Sequence, residues 1–399
     1  MSVRPDRSLI ALLAGLSMLG PFAIDTFFPA FPVIAKELSA SPFQMQQTLS
    51  IYLIAYAVMA LLHGGLSDAI GRRPVILVSL GVFTLASIGC VFAQSMDELL
   101  MFRAVQGLSA GAGVIVGRAI VRDRFTGAVA QRAMSGISML FGIAPAIAPI
   151  IGGYLLYFGW RSSFVFLVVL AVLLWFACWR ALPETLAPAL RTPLRPGSLT
   201  RGYLSMLSDP RCVLICLTGG FNFAAIFLYI SSAPSFVLEI LHFNERQFGA
   251  FFVPTIGGMV LGSFVSGRIA GRVQSRAAIW WAYAVMLFAG VANIAYTQSV
   301  DVVTWPWAVL PIGLIAFAVA IAFPLLTLAM MDLFPTRLGT ASSLQMFLSL
   351  VVNAAVAGLL APVLQHDARL LAFGSTALSL TGLALFYLAR KAVPRVVLA

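Results

Sequence analysis

The sequence predicts an all-α integral membrane protein of twelve transmembrane helices in two six-helix halves, and three observations predict it. The 399-residue chain is 61% hydrophobic and only 10% charged, with a mean hydropathy of +0.99, against about 25% charged residues in an ordinary soluble domain. Apolar stretches of about 20 residues, the length that crosses roughly 30 Å of hydrocarbon as helix, recur along the whole chain. A segment rich in Pro and Arg divides these stretches six and six.

Taken in order, the stretches fall at 8–35, 44–66, 74–94, 98–121, 132–158 and 161–182, then at 211–238, 246–267, 277–297, 304–331, 338–362 and 368–390. The first runs on into polar and Pro-rich sequence without a small-residue cleavage site, so it reads as helix 1 and not as a removed leader. Residues 183–210 break the apolar pattern with Pro183, Pro188, Pro193, Pro196 and Pro210, and they carry Arg191, Arg195 and Arg201. They are expected to form a cytoplasmic linker between an N-terminal bundle, 1–182, and a C-terminal bundle, 211–399. The pair Gly71–Arg72 after the second stretch recurs as Gly271–Arg272 after the eighth, a trace of internal repetition. Two parallel six-helix halves with a midplane substrate site form a known transporter plan.

The net charge is +11. The basic residues sit mostly in short loops on one side of the spans, where they set orientation with both termini cytoplasmic and do not call for nucleic acid. Cys90, Cys178, Cys212 and Cys216 fall in or at the ends of apolar stretches, without zinc-site spacing or His partners, and read as small core residues. No phosphate-binding G-x-x-x-x-G-K-[ST] loop occurs, so no ATP is implied. His63, His242 and His366 are dispersed, which argues against the clustered groups of a membrane-embedded enzyme. His63 reads as an interfacial residue, and Arg118 as one that snorkels to the cytoplasmic surface.

Within LSMLGPFAIDTFFPAFPVIA, Asp25 is the one acidic residue well inside an apolar stretch, and Arg103 is the one clearly internal basic residue. At about 1.5 Å rise per residue their depths in the outer half of the bilayer differ by less than about 8 Å. Charges there are costly and seek a partner or water. Asp25 and Arg103 are therefore the candidate proton-coupling pair, because altered water access or separation changes a carboxylate's proton affinity. Two alternatives stand: a fixed salt bridge that only fastens helices, and an Arg103 that binds backbone carbonyls.

Gly64, Asp68, Gly71, Arg72 and Arg73 have the makings of a conformational latch, with Arg122 and Asp123 at the end of helix 4 as natural partners for Asp68 and Arg72. In helix 5, Pro145 and Pro149 lie four apart, and Gly152 and Gly153 permit close backbone packing. Candidate substrate residues are Tyr52 and Tyr56 on helix 2, Asn222 and Tyr229 on helix 7, and Gln345 and Asn353 on helix 11. Aromatic walls with few hydrogen-bonding groups suit lipophilic ligands. Interhelical hydrogen bonding is the plainer explanation for any one of them.

These motifs carry a resemblance to a known family. The loop from Gly64 to Arg73, the segment RAVQG from Arg103 to Gly107, and APAIAPIIGG from Ala144 to Gly153 resemble the motifs of a major facilitator superfamily transporter. Ala69 stands where a basic residue is common, and alanines replace two glycines of the helix 5 antiporter motif. Helix 1 with its Asp, aromatic residues and spaced prolines, and ALPET after helix 6, are similar to the bicyclomycin and chloramphenicol resistance group of proton-coupled drug exporters. The resemblance implies the major facilitator fold in a bacterial inner membrane and a monomer without a cofactor. It also implies drug:proton antiport driven by the proton gradient through alternating access. An exporter of a natural metabolite, such as an amino-acid or sugar derivative, is the alternative within transport.

Overall fold

The computed structural model describes residues 7–125, 127–191, 196–269, 272–334 and 338–392. Among these residues no strand occurs, and twelve helices are long and apolar enough to cross a membrane. In chain order they are α1 Ser8–Glu37, α2 Pro42–Ile70, α3 Arg72–Phe92, α4 Met96–Arg124, α5 Leu140–Phe158, α6 Arg161–Ala181, α7 Pro210–Ser231, α8 Gly249–Ile269, α9 Ser275–Ser299, α10 Leu310–Leu333, α11 Gly339–Leu364 and α12 Ala368–Ala389. The chain divides into two compact units, Met1–Arg195 and Pro196–Ala399.

In the first unit, α1 packs on α5, α2 on α4, and α3 on α6. In the second, α7 packs on α11, α8 on α10, and α9 on α12, so each of these three pairings recurs with six added. A polar clip recurs too. Arg161, at the start of α6, donates from Nε to the Val91 carbonyl at 3.0 Å and from Nη2 to that of Ala93 at 3.1 Å, closing the end of α3. Arg369, near the start of α12, donates from Nε to the Thr297 carbonyl at 3.1 Å, at the end of α9. Each Arg meets carbonyls that a helix terminus leaves without an internal donor. The internal repeat is thus carried by helix contacts and these clips. Gly271 of the sequence repeat lies outside the described residues.

The helix ends follow from local chemistry. Ser41 accepts from the Gln44 backbone while the Gln44 side chain accepts from the Ser41 N–H, a reciprocal cap, and Pro42 fills the first position of α2. Asp209 caps α7, and the hydrogen bonds it receives from Arg211 hold its carboxyl below the usual value. Outward faces carry exposed Leu85, Phe92, Phe176, Leu261, Trp281 and Phe288, side chains that need lipid and not water around them. Tight helix contacts rely on small residues, since apolar burial gives helices little reason to associate in lipid. A Cβ at Gly107 would overlap the Tyr52 carbonyl, and one at Gly262 that of Phe317. The four cysteines are buried and free.

The 183–210 segment is more ordered than a plain linker. Glu184 binds back onto the first unit, whereas Pro196–Leu207 is a helix packed on α7 and α11. Pro193 and Arg195 lie outside the described residues.

Candidate functional site around Asp25 and Arg103

Span α1 is broken at its carboxylate. Regular helix runs Arg7–Asp25, a 3-10 turn follows at Phe28–Ala30, and helix resumes over Phe31–Glu37. Pro29 has no N–H to give the Asp25 carbonyl, and Pro32 none to give that of Phe28, so the i→i−4 ladder lapses there. Asp25 is 3% exposed, and its Oδ1 has no hydrogen-bond partner. The Thr26 hydroxyl beside it is likewise buried and unpartnered. Across this break lies Gly152 of α5, where a Cβ would overlap the Thr26 carbonyl. The helix 5 motif thus packs backbone to backbone on the carboxylate's own helix, with Pro149 buried one turn before Gly152 and Pro145 half-buried beyond it. Gly153 is buried beside Gly152.

Arg103 is fully buried. Its Nε donates to the Thr48 carbonyl at 3.2 Å, and its Nη1 to the Ala23 carbonyl at 2.9 Å and to Gln106 Oε1 at 2.8 Å. The guanidinium lies between two rings, 4.7 Å from the Phe27 centroid and 4.4 Å from that of Tyr52. Gln106 passes the network on to Ser87 at 2.8 Å, and Ser87 to the Phe83 carbonyl at 2.7 Å. One cation therefore joins α1, α2, α3 and α4.

Arg103 forms no ion pair among the described residues, so a direct Asp25–Arg103 bridge is not present. Carbonyls and aromatic faces occupy the guanidinium instead, which is the carbonyl-binding alternative. Two atoms remain without partners, Oδ1 of Asp25 and Nη2 of Arg103. Sequence reasoning missed Phe27, Thr48 and Ser87. The i, i+3 spacing of Arg103 and Gln106, which puts both on one helix face, was the available signal for Gln106.

The substrate candidates separate. Tyr52 stacks on Arg103 and directs its hydroxyl to the Gly20 carbonyl at 3.4 Å, while Tyr56 meets it edge-on at a centroid distance of 6.3 Å. Asn222 donates to the Met286 sulfur at 3.4 Å, and the Tyr229 hydroxyl accepts from Asn293 at 2.7 Å. Both therefore bind α9 within their own unit, as interhelical hydrogen bonding requires. Gln345 is buried and donates to Thr327 at 3.2 Å, while Asn353 is buried with Oδ1 unpartnered.

The loop after α2 forms a closed network. Arg72 donates to Asp68 at 2.5 Å, to Ser67 at 2.6 Å and to Asp123 at 3.1 Å. Glu184 receives the backbone N–H groups of Arg72 at 3.0 Å and Arg73 at 3.2 Å, placing a carboxylate on the N-terminus of α3, where a helix favours negative charge. Arg73 reaches the Trp179 carbonyl at 2.6 Å. Gly71 has φ of 109°, a conformation natural to glycine, and a Cβ there would strike Glu184. At Gly64 a Cβ would meet open space.

Two expectations need correction. Arg122 is exposed and in no ion pair among the described residues, because Arg72 takes both Asp68 and Asp123. His63 is 1% exposed, with Nδ1 unpartnered, and so is a buried residue of α2 and not an interfacial one. Arg118 is exposed, six residues before the Arg124 end of α4.

The comparisons with known proteins agree with this architecture. The chain is 32% identical over 361 residues to the uncharacterized MFS-type transporter YdgK of Bacillus subtilis, covering 89% of each chain. It is 31% identical over 301 residues to the bicyclomycin resistance protein homolog of Haemophilus influenzae, covering 75% of each. Its fold matches the D-xylose-proton symporter with a TM-score of 0.75 over 98% of both chains at 14% identity. With residues 13–358 matching the model of that family, the chain belongs to the Major Facilitator Superfamily.

Proposed function

We propose that the protein is a proton-coupled exporter of small lipophilic compounds, antibiotics such as chloramphenicol or bicyclomycin, working by alternating access in the bacterial inner membrane. The observation that carries this reading is the Asp25 carboxylate. It is buried, with its Oδ1 lacking a hydrogen-bond partner, at the break of α1, directly beside the contact with Gly152 of the antiporter-like helix. A carboxylate so placed needs a proton, a donor or water, and each costs or gains energy as its surroundings change. Arg103 is a positioning residue: it holds the Ala23 carbonyl, two residues before Asp25, against α2 and α4. A shift of α5 against the broken segment would open or close water access to Asp25 and so couple protonation to conformation. The similarity to the bicyclomycin resistance protein homolog supports the drug as cargo.

Everted vesicles energised by a pH gradient test the reading. Chloramphenicol should accumulate in vesicles carrying the protein and should not do so with Asp25→Asn at equal membrane abundance. Full accumulation by Asp25→Asn, or accumulation that ignores the gradient, would contradict it.

A further inference from the structure

Arg118 differs from Arg103 in one decisive respect: among the described residues, no side chain or carbonyl takes up its charge. Both lie on α4, but Arg103 is fully buried and engaged, whereas Arg118 is exposed and in no ion pair among the described residues. The register of α2 against α4 locates it. Arg103 bonds the Thr48 carbonyl, Gly107 lies on that of Tyr52, and Gly111 lies under the Tyr56 ring, a constant offset of 55 along the two parallel helices. Continued by two turns, the same offset sets Arg118 level with His63. His63 is 1% exposed, its Nδ1 has no partner, and that nitrogen comes within 3.4 Å of the position of a Cβ on Gly111. Helical side chains lean towards the N-terminus, so Arg118 leans towards Gly111, the position against which the Tyr56 ring and the His63 imidazole lie.

A guanidinium without a partner among the described residues, a tyrosine ring and an unpartnered imidazole nitrogen thus occur along one strip between α2 and α4. A planar guanidinium presents paired N–H donors that match a carboxylate, and within a membrane span such a charge seeks an anion or water. We infer that Arg118, beside Tyr56 and His63, receives the carboxylate of an anionic substrate, so that amphiphilic organic acids belong to the exported compounds. This deepens the export reading above and rests on it.

The test uses salicylate and nalidixate, each with its methyl ester, which keeps the shape and removes the charge. Binding is measured on the purified full chain at a pH where both acids are ionised, in zwitterionic detergent with and without excess phosphate and with and without phosphatidylglycerol. The expected result is that at least one acid binds ten-fold or more tightly than its ester. That preference should fall to about unity in Arg118→Gln and return in part in Arg118→Lys, with neither added phosphate nor phosphatidylglycerol abolishing it. Equal binding of acid and ester, failure of both acids to bind, an undiminished preference in Arg118→Gln, or equal loss of acid and ester binding would overturn the inference. Abolition by phosphate or by the lipid would do the same, assigning the site to an inorganic anion or a headgroup. Chloramphenicol accumulation in everted vesicles is followed alongside. If it persists while acid and ester bind alike, only the anion inference falls. If the acid preference holds while nothing accumulates against the gradient, only the export reading falls.

Discussion

Gly152 of α5 lies on the backbone of Thr26 so closely that any side chain would overlap the Thr26 carbonyl oxygen. The contact sits one residue past Asp25, at the point where α1 stops being a regular helix. Gly152→Ala must therefore push α5 away from the break, an overpacking that costs about 1–3 kcal/mol. The expected result is a lowered melting temperature together with strongly reduced export. Gly142→Ala on the same helix, where a Cβ meets nothing within 4 Å, should keep the melting temperature. Equal melting temperatures for the two variants would contradict a backbone contact at Gly152.

Arg103 satisfies two carbonyls and one amide from between two rings, an arrangement that a point charge on a flexible stem does not reproduce. Arg103→Ala leaves the Thr48 and Ala23 carbonyls short of a donor and loses the stacking on Phe27 and Tyr52, a loss on the order of 3 kcal/mol. Arg103→Lys should retain insertion but lose most export. Thermal unfolding and vesicle transport of both variants check this, and wild-type transport by Arg103→Lys would show that charge alone suffices.

Glu184 is the member of the Gly64–Arg73 loop network that the loop motif does not contain. Glu184→Ala removes the acceptor for two backbone N–H groups at the start of α3 and should cost roughly 1–2 kcal/mol. It should also change the balance between conformations. Labelling of single cysteines introduced on either side, with impermeant reagent, should shift both in Glu184→Ala and in Asp68→Asn. An unchanged labelling pattern in both would remove the network from conformational control.

In the second unit, the Tyr229 hydroxyl meets Asn293 in the interior. Tyr229→Phe leaves that amide without its acceptor and should lower stability by about 1 kcal/mol, lowering export of all substrates in proportion to the folded protein. A change in substrate preference at unchanged stability would instead restore Tyr229 to the ligand site.

The spans and the repeat were legible because apolar length and the Pro-rich divide are properties of contiguous sequence. Asp25 and Arg103 stood out for the same reason, as isolated charges in apolar stretches. Their relation to each other was not legible. Whether a guanidinium meets a carboxylate or two carbonyls depends on the helix break at Pro29 and on the Tyr52 and Phe27 rings, which are brought together only by packing. Glu184 stood out only as part of ALPET, and its role was hidden because its partners are backbone N–H groups more than a hundred residues away in sequence, which leave no side-chain signature. Tyr229 and Asn222 looked like ligand residues because a polar face on a helix is the same whether its partner is a drug or a neighbouring helix.

The central claim is that protonation of Asp25 is coupled to drug export, and the pH dependence of drug affinity in purified protein tests it most directly. Linkage requires that if a bound drug changes the protonation of Asp25, pH must change drug affinity by the same factor. For direct competition, protonation weakens drug binding. Chloramphenicol, which does not ionise over the range, should therefore bind more tightly as pH rises through the titration of Asp25 and then level off. Asp25→Asn should bind weakly at every pH, without the slope. A pH-independent affinity in the unmutated protein, or a slope that survives in Asp25→Asn, would contradict it.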